Sequence, residues 1–228
     1  IEDSEGKISS FKVLQTTQDG HDYQRPHRMG IGFFNLEGGK LKRTHHIELD
    51  IDGAETEVSE LIGMERPDLV LLNDADLAYA KVRLDEPSRL VALENLSGIE
   101  DSLARTLVWT AAWDATRDGE APARDFIKLV LDHIASETES TTVTTLLRQL
   151  ITTGTLYVAE YAREETLSEI ADGLISLAES AAPGSDNQLQ FAKFVPQFAR
   201  ERAQLDWLVG LLNGTKEIAG LKVDQDLR

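Results

Sequence analysis

Two adjacent histidines followed by acidic residues form the most conspicuous group of potential metal ligands in the sequence. His45 and His46 lie in the stretch RTHHIELDID (43–52), ahead of three carboxylates. On a strand, neighbouring side chains point to opposite faces of the sheet, so these two histidines cannot bind the same ion. A metal site would therefore need His46, Glu48 and a third ligand from elsewhere.

The pattern of this stretch predicts a strand with one core face and one solvated face. We expect the core face to hold Leu41, Arg43, His45, Ile47, Leu49 and Ile51, and the solvated face to hold Thr44, His46, Glu48, Asp50 and Asp52. If the hairpin through EGGK closes evenly, His27 lies opposite Asp50 on the solvated face and becomes the third ligand. Zinc sites on sheets use such spacing. A wet strand face with a half-buried His45 is the interpretation that we favour, and it predicts no metal residue.

Other catalytic patterns are missing from the sequence. It contains no HExxH, no G-x-S-x-G, no glycine-rich phosphate loop and no cysteine. His133 stands alone on an apolar helical stretch, which is typical of an ordinary side chain at the edge of a stripe. Asp101 and Arg105 lie one helical turn apart, as in a surface ion pair. We therefore predict no catalytic, cofactor-binding or metal-binding residue in these 228 residues.

The net charge of the chain limits the kinds of partner that it can bind. Forty acidic and 23 basic residues give a net charge of −17. Such a field repels phosphate groups and anionic membrane surfaces, and it weakly favours cationic ligands. No apolar run approaches the length of a membrane span, and the charged start IEDSEGK does not resemble a signal peptide. We predict a cytoplasmic protein without nucleic-acid or membrane partners. The start at Ile1 predicts a piece of a longer chain.

The first third of the chain reads as short strands. Residues 1–85 alternate apolar and polar side chains in six or seven stretches separated by turns, including EGGK and Asp52-Gly53. PDLVLL (67–72) and AYAKVRL (78–84) are rich in strand-forming residues. This spacing is typical of a small antiparallel β-sandwich.

From Pro87 onward the apolar residues recur at helical spacing, so residues 86–228 are predicted to be α-helical. Successive amphipathic helices joined by short linkers suit an α-helical superhelix of the HEAT-like α-solenoid kind. The expected stripes are Ile99, Leu103 and Leu107 with Trp109 and Trp113; Phe126, Ile127, Val130, Leu131 and Ile134; Val143 through Leu150 to Tyr157 and Tyr161; Leu167 to Ala178; Phe191 to Phe198, with a bend or break at Pro196; and Leu205, Leu208, Leu211 and Leu212, stopped by Asn213-Gly214. The overall prediction is an α+β multidomain chain whose helical array is incomplete and ends on an exposed apolar face.

The residues alone leave three functional hypotheses open. The chain is a non-catalytic part of a larger protein, a free-standing helical-repeat module for protein interaction, or a small metalloenzyme built on His27, His46 and Glu48. Periodicity does not separate the first two, because both bury the same stripes.

A family resemblance favours the first hypothesis. RPDLVLLNDADLAYAKVRLDE (66–86) pairs a strand ending in Leu-Leu-Asn with an acidic turn and a tyrosine-containing stretch before a helix. It resembles the late sandwich strands of the aminopeptidase N class of zinc metallo-aminopeptidases. RPHRMGIGFFNLEGGKLKRTHHIELDIDG (25–53), EDSLARTLVWTAAWDATRDGEAPARDF (100–126) and LLNGTKEIAGLKVDQDLR (211–228) are similar to the actinobacterial-type members.

The resemblance implies a specific role. Enzymes of this family remove the N-terminal residue from peptides, with zinc on an HExxH helix and a GAMEN-type loop that grips the free amine. Neither motif occurs here, so no catalytic or zinc residue carries over. The chain would be the sandwich and the first part of the helical C-terminal domain, which covers the active site and shapes the substrate chamber. Its partners would be the N-terminal catalytic domain of the same polypeptide and peptide substrates.

Overall fold

The computed structural model describes residues 1–17, 23–224 and 227. The chain divides into two compact units, Ile1–Ala115 and Thr116–Arg228, and each is described by itself. The last strand ends at Leu72 and the first α-helix begins at Glu86. The domain boundary expected between residues 85 and 86 remains a prediction.

Seven strands occur in the described residues, and all their ladders are antiparallel. They are β1 (Glu2–Ser4), β2 (Lys7–Ser10), β3 (Lys12–Leu14), β4 (His27–Glu37), β5 (Lys40–Ile51), β6 (Glu55–Glu57) and β7 (Leu69–Leu72). They form a β1-β2 pair, a β3-β6 pair and a three-stranded sheet in the order β5-β4-β7. The arrangement confirms a small antiparallel sheet region followed by helices.

The β4–β5 hairpin is the longest strand pair of the sheet region. Its loop consists of Gly38 and Gly39, with φ angles of 60° and 80°. Both are in the left-handed region that a tight two-residue hairpin turn requires and that glycine enters without steric cost. The turn predicted at EGGK is confirmed.

The ladder between β4 and β5 contains a β-bulge. Arg43 pairs with Phe34 and His45 pairs with Phe33, so Thr44 is the extra residue. A bulge reverses which face each residue of the strand occupies beyond it. From residue 45 to 51 the expected alternation holds, with His45 half-buried against the Phe33 ring, 5.8 Å between ring centroids. Before the bulge the alternation is inverted.

One face of the three-stranded sheet lies in the core of the first unit. β4 contributes Met29, Ile31 and Phe33 to this core, and the Phe33 ring centroid lies 6.2 Å from that of Phe11. Ile8, Phe11, Val13, Ile51, Val58, Leu61 and Val70 complete the cluster of deeply buried side chains. The opposite face of β4 is also buried from Gly30 to Phe34, so this strand is enclosed on both sides.

AYAKVRL does not form a strand. Residues 77–85 have no strand or helix assignment, and the Tyr79 side chain is fully exposed. The chain becomes regular again at α1 (Glu86–Asn95), where the Asp85 carboxylate accepts a hydrogen bond from the Ser88 amide and Pro87 sits in the first turn. Pro87 therefore occupies the position predicted for it.

The second helix, α2 (Ser102–Arg117), buries only part of the expected stripe. Its buried face consists of Ala104, Val108 and Ala111 with Trp109, whereas Leu103 is 42% exposed. Ile99, which precedes the helix, is buried. The helix is thus rotated by about one residue, because small alanines rather than leucines occupy its inner face.

The second unit contains five α-helices in the described residues: α3 (Ala123–His133), α4 (Ser140–Thr152), α5 (Glu160–Ser180), α6 (Asp186–Phe198) and α7 (Arg202–Asn213). Most expected stripes are buried, including Phe126, Ile127 and Val130 on α3, Leu146, Leu147 and Leu150 on α4, Ile170 and Leu174 on α5, and Phe191, Val195 and Phe198 on α6. The sequence periodicity therefore predicted these helices and their inner faces.

Three details of the second unit differ from expectation. A π-helical turn, Thr153–Tyr157, interrupts the stripe that was expected to continue after α4, and Tyr161 is 95% exposed. Pro196 does not break α6, which continues for two more residues. On α7, Leu211 is buried but Leu205 is 45% exposed. The helix stops at Gly214 with φ 75°, as predicted.

None of the helices in residues 1–17, 23–224 and 227 is both long and apolar enough to cross a bilayer.

Candidate functional site

A fully buried aspartate, Asp74, follows β7 and packs against Gly30 and Gly32 of β4. The Asp74 side chain has 0% exposure, and its two carboxyl oxygens face two different side chains, a guanidinium and an imidazole. Oδ1 accepts a hydrogen bond from Nη2 of Arg43 at 2.8 Å, and Oδ2 lies 2.8 Å from Nδ1 of His46. A buried carboxylate is tolerated only when such partners compensate its lost hydration.

Two glycines make room for this aspartate on β4. A Cβ on Gly32 would stand 2.4 Å from Oδ2 of Asp74, and a Cβ on Gly30 would stand 2.0 Å from its backbone oxygen. The Asp74 amide also donates to the Gly30 carbonyl at 3.1 Å. Glycine inside a strand commonly marks such a close approach of another backbone.

The turn that carries Asp74 is held in an unusual conformation. Asn73, Ala75 and Asp76 have φ angles of 57°, 78° and 54°, in the left-handed region that side-chain-bearing residues rarely occupy. The Asn73 side chain fixes the turn, because its Nδ2 donates to the Ala78 carbonyl at 2.7 Å and its Oδ1 accepts from the Ala78 amide at 2.8 Å. The two hydrogen bonds between the Asn73 side chain and the Ala78 backbone thus stabilise the strained turn.

Arg43 extends the cluster to the start of α2. Its Nη2 lies 2.7 Å from Oδ2 of Asp101, and its guanidinium carbon lies 5.3 Å from the centre of the Phe34 ring. Oδ1 of Asp101 accepts from the Leu103 amide at 2.9 Å. Burial tends to raise the pKa of Asp101, but the bonds from Arg43 and from the first helical amides outweigh it and lower that pKa. The Asp101 carboxylate therefore both caps α2 and binds Arg43.

We name the four side chains Arg43, His46, Asp74 and Asp101 the charged cluster. Its geometry does not suit zinc. The nitrogen of His46 nearest the cluster is directed at Asp74, its Nε2 is 3.9 Å from Glu48, and the Asp74 carboxylate is already bound by a guanidinium that would repel a cation. Within the described residues no three potential ligands come together as a metal site. The cluster connects β5, the turn after β7 and α2.

The structure places two residues, His27 and Arg43, differently from the sequence-based prediction. The bulge at Thr44 sets His27 opposite Ile51, so the predicted alignment of His27 with Asp50 is wrong. Arg43 shares a face with His46, because their partners Phe34 and Gly32 share a face, and the predicted core position of Arg43 is wrong.

The predicted surface pair of Asp101 and Arg105 is also wrong. Arg105 is buried at 8% exposure, and its Nη1 donates to the Ile99 carbonyl at 2.6 Å. His133 lies at the end of α3 and is buried as well. Neither residue has the accessibility that a substrate-binding group needs.

Sequence reasoning missed Asp74, the centre of the cluster. The signal was the pair of glycines in the strand stretch HRMGIGFFNL, because two glycines at alternate positions clear one face of the strand for another group. The identity of that group depends on a turn 42 residues further along the chain, which no local pattern reveals.

The second unit carries an open acidic cleft beside α5. It has a volume of about 540 Å³ and is lined by Glu164, Glu165, Ser168, Glu169, Asp172, Arg200 and Glu201. Gln204 links two of these lining residues, since its Nε2 donates to Oγ of Ser168 and to Oδ1 of Asp172, both at 2.8 Å. Arg200 lies 3.3 Å from Glu164. Five carboxylates against one guanidinium make this cleft a locally anionic surface.

Comparison with known proteins gives two findings. The family model described as the ERAP1-like C-terminal domain matches residues 69–228. The chain is also 43% identical to the protein named Aminopeptidase N of Streptomyces lividans, in an alignment that covers 99% of this chain and 27% of that relative. The chain thus spans about a quarter of the length of the curated relative that it matches.

Proposed function

Because this chain belongs to the family of ERAP1-like C-terminal domains, we propose that it is the non-catalytic C-terminal region of a zinc-dependent aminopeptidase that removes N-terminal residues from peptides. The observation that carries the proposal is the 43% identity to an aminopeptidase N along 99% of the chain. The parent polypeptide is then a peptide hydrolase, and these 228 residues alone are inactive.

In this proposal the two parts of the chain have different tasks. Residues 1–85 form a β-sandwich domain, and residues 86–228 form the first part of an α-helical superhelix. Successive amphipathic helices from α3 to α7 support the second assignment. The helical part covers the active site of the parent and limits entry to short or flexible peptides.

Zinc and the catalytic residues belong to another part of the parent in this proposal. The charged cluster supports that assignment, because Arg43 already neutralises the Asp74 carboxylate and His46 is committed to it. When bound in the parent, zinc would supply a polarised water and carbonyl for peptide hydrolysis. No residue of this chain is assigned to that chemistry. We assign the parent to the cytoplasm.

The acidic cleft suggests how this chain contributes to substrate capture. A peptide substrate of an aminopeptidase carries a cationic N-terminus, and an anionic surface raises the encounter rate with cations at low ionic strength. Replacing Glu164, Glu165 and Glu169 with glutamine in the intact parent should lower kcat/KM and weaken its dependence on salt. A matched control replaces three exposed acids of the sheet region, Glu37, Glu48 and Asp50. Equal kcat/KM and equal salt dependence in both variants would argue against this role.

The main experiment measures peptidase activity and zinc content on the intact parent and on the 228-residue chain. We expect one zinc and hydrolysis of an N-terminal residue from the parent, and neither from the chain. An inactive, zinc-free parent would overturn the proposal. Tight zinc binding by the chain, abolished by His46→Ala, would show chemistry of its own.

A further inference from the structure

The segment Leu77–Leu84 combines strand-forming residues with three backbone amides, those of Tyr79, Ala80 and Val82, that have no backbone partner among the described residues. Tyr79 and Val82 are of types that favour strands. In the described part of the chain, however, the backbone N–H groups of Tyr79, Ala80 and Val82 take part in no backbone–backbone hydrogen bond. Backbone groups that are not paired within a protein bind water or a partner.

The segment is anchored at both ends. At its start, the Asn73 side chain holds both backbone groups of Ala78, which is itself only 9% exposed. Further along, Val82 is 8% exposed, and beyond the segment Nη2 of Arg66 lies 2.6 Å from Oδ2 of Asp85. The positive φ angles of the preceding turn and the buried Asp74 fix its direction. The segment is therefore presented in a defined position rather than as a loose loop.

The segment also displays apolar surface at Leu77 and Tyr79. The Tyr79 side chain is fully exposed and Leu77 is 46% exposed. An aromatic ring buries a large area when a partner covers it, and tyrosine is enriched at protein interfaces for that reason. A rigid backbone lowers the entropy that such a contact loses.

We propose that Leu77–Leu84 is the docking surface for the catalytic part of the parent polypeptide, which covers Tyr79 and hydrogen-bonds to the free amides. This inference rests on the proposed function. The catalytic part is the occupant that fits, because the matched relative is nearly four times as long as the alignment and a covalently linked partner is present at high effective concentration. Addition of a partner strand to backbone amides such as those of Tyr79, Ala80 and Val82 is a common mode of docking.

Hydrogen–deuterium exchange tests the proposal on the intact parent and on the 228-residue chain. We expect the amides of residues 79–84 to exchange at least roughly tenfold more slowly in the parent. Equal rates in the two proteins would overturn the proposal. If exchange in the 228-residue chain slowed as its concentration was raised, the surface would bind a second copy of the chain instead. That outcome would also overturn the proposal.

A matched pair of variants makes the test specific. Tyr79→Ala in the intact parent should return the exchange of residues 79–84 to the fast rate of the 228-residue chain, whereas Tyr161→Ala should leave it unchanged. Tyr161 suits the control because it is 95% exposed and lies on α5. Equal effects of both variants would contradict the docking role.

Peptidase activity of the same parent samples separates the two proposals. If residues 79–84 exchanged slowly in a parent without peptidase activity, the docking surface would be supported and the proposed aminopeptidase function would be rejected. Peptidase activity with fast exchange at residues 79–84 would retain the enzyme and reject the docking surface.

Discussion

Replacing Asp74 with alanine is expected to destabilise the unit Ile1–Ala115 by about 2–4 kcal/mol. A hydrogen bond to a charged group contributes about 1.5–3 kcal/mol, and Asp74 makes two such contacts, to Arg43 and His46, both at 2.8 Å. The sum must be reduced, because Arg43 and His46 are 35% and 31% exposed and regain water when the carboxylate is removed. Arg43 also retains Asp101 at 2.7 Å.

Urea unfolding monitored by tryptophan fluorescence measures this loss. Of the three tryptophans, Trp207 lies on α7, so a Trp207→Phe background leaves only Trp109 and Trp113 on α2 as reporters. With a slope of about 2 kcal/mol per molar urea, the midpoint should fall by roughly 1–2 M. Asp74→Asn should cause a smaller shift, because it keeps the volume and one acceptor.

Asp50→Ala is the matched control for a carboxylate paired with arginine on the same hairpin. Asp50 is 77% exposed and lies 3.2 Å from Arg28. Exposed ion pairs contribute little to stability, so its midpoint should stay unchanged. If Asp74→Ala shifted the midpoint no more than Asp50→Ala, the buried carboxylate would not hold the sheet, the turn and α2 together.

Three further outcomes follow from other contacts. Gly32→Ala would bring a methyl group 2.4 Å from Oδ2 of Asp74 and should destabilise by about 1–3 kcal/mol; in a double-mutant cycle with Asp74→Ala the two losses should sum to less than additive, and full additivity would contradict the close approach. The hydrogen bond from Lys216, and then that from Trp207, lowers the pKa of Glu179, so its contribution is present above the unfolded pKa and is lost as pH falls through the folded pKa. Circular dichroism in urea should therefore show that Glu179→Gln loses less stability than the unmodified chain between about pH 5 and about pH 3, and equal losses would remove the carboxylate from acid unfolding. Leu211→Ala, at a site 6% exposed, should destabilise by about 2–4 kcal/mol, whereas Leu205→Ala, at a site 45% exposed, should stay below about 1 kcal/mol; equal melting-temperature shifts in scanning calorimetry would contradict the observed orientation of α7.

Local chemistry made much of the fold predictable. The two glycines of EGGK determine the β4–β5 turn, Pro87 lies in the first turn of α1, and Gly214 ends α7, because each position has a backbone requirement that few residues meet. The helical stripes from α3 to α6 follow from periodicity. These features depend on residues within a few positions of one another.

Features that depend on distant residues were not predictable. On α2, Trp109 is buried as expected, but Ala104, Val108 and Ala111 pack inward where Leu103 was expected. AYAKVRL has the composition of a strand, but a strand also needs a neighbour with which to pair. Asp74 is buried because glycines on another strand leave it room, and no pattern near residue 74 indicates that space.

The extra residue in β5 makes chain length, as much as residue identity, the property that preserves the charged cluster. Deleting Lys42 would allow an even ladder that places Arg43 opposite Asn35 and turns it toward the apolar core, which leaves Asp74 with His46 alone. Deleting Thr44 itself would keep Arg43 opposite Phe34. Lengthening the Gly38–Gly39 turn would leave the alignment of His46 with Gly32 untouched. Insertions and deletions at the tip of this hairpin should therefore be tolerated, as should loss of Thr44, whereas deletion of a residue between Lys40 and Arg43 should disrupt the cluster. A graft onto this scaffold should use that tip and keep the residues of β5 from Lys40 to Arg43.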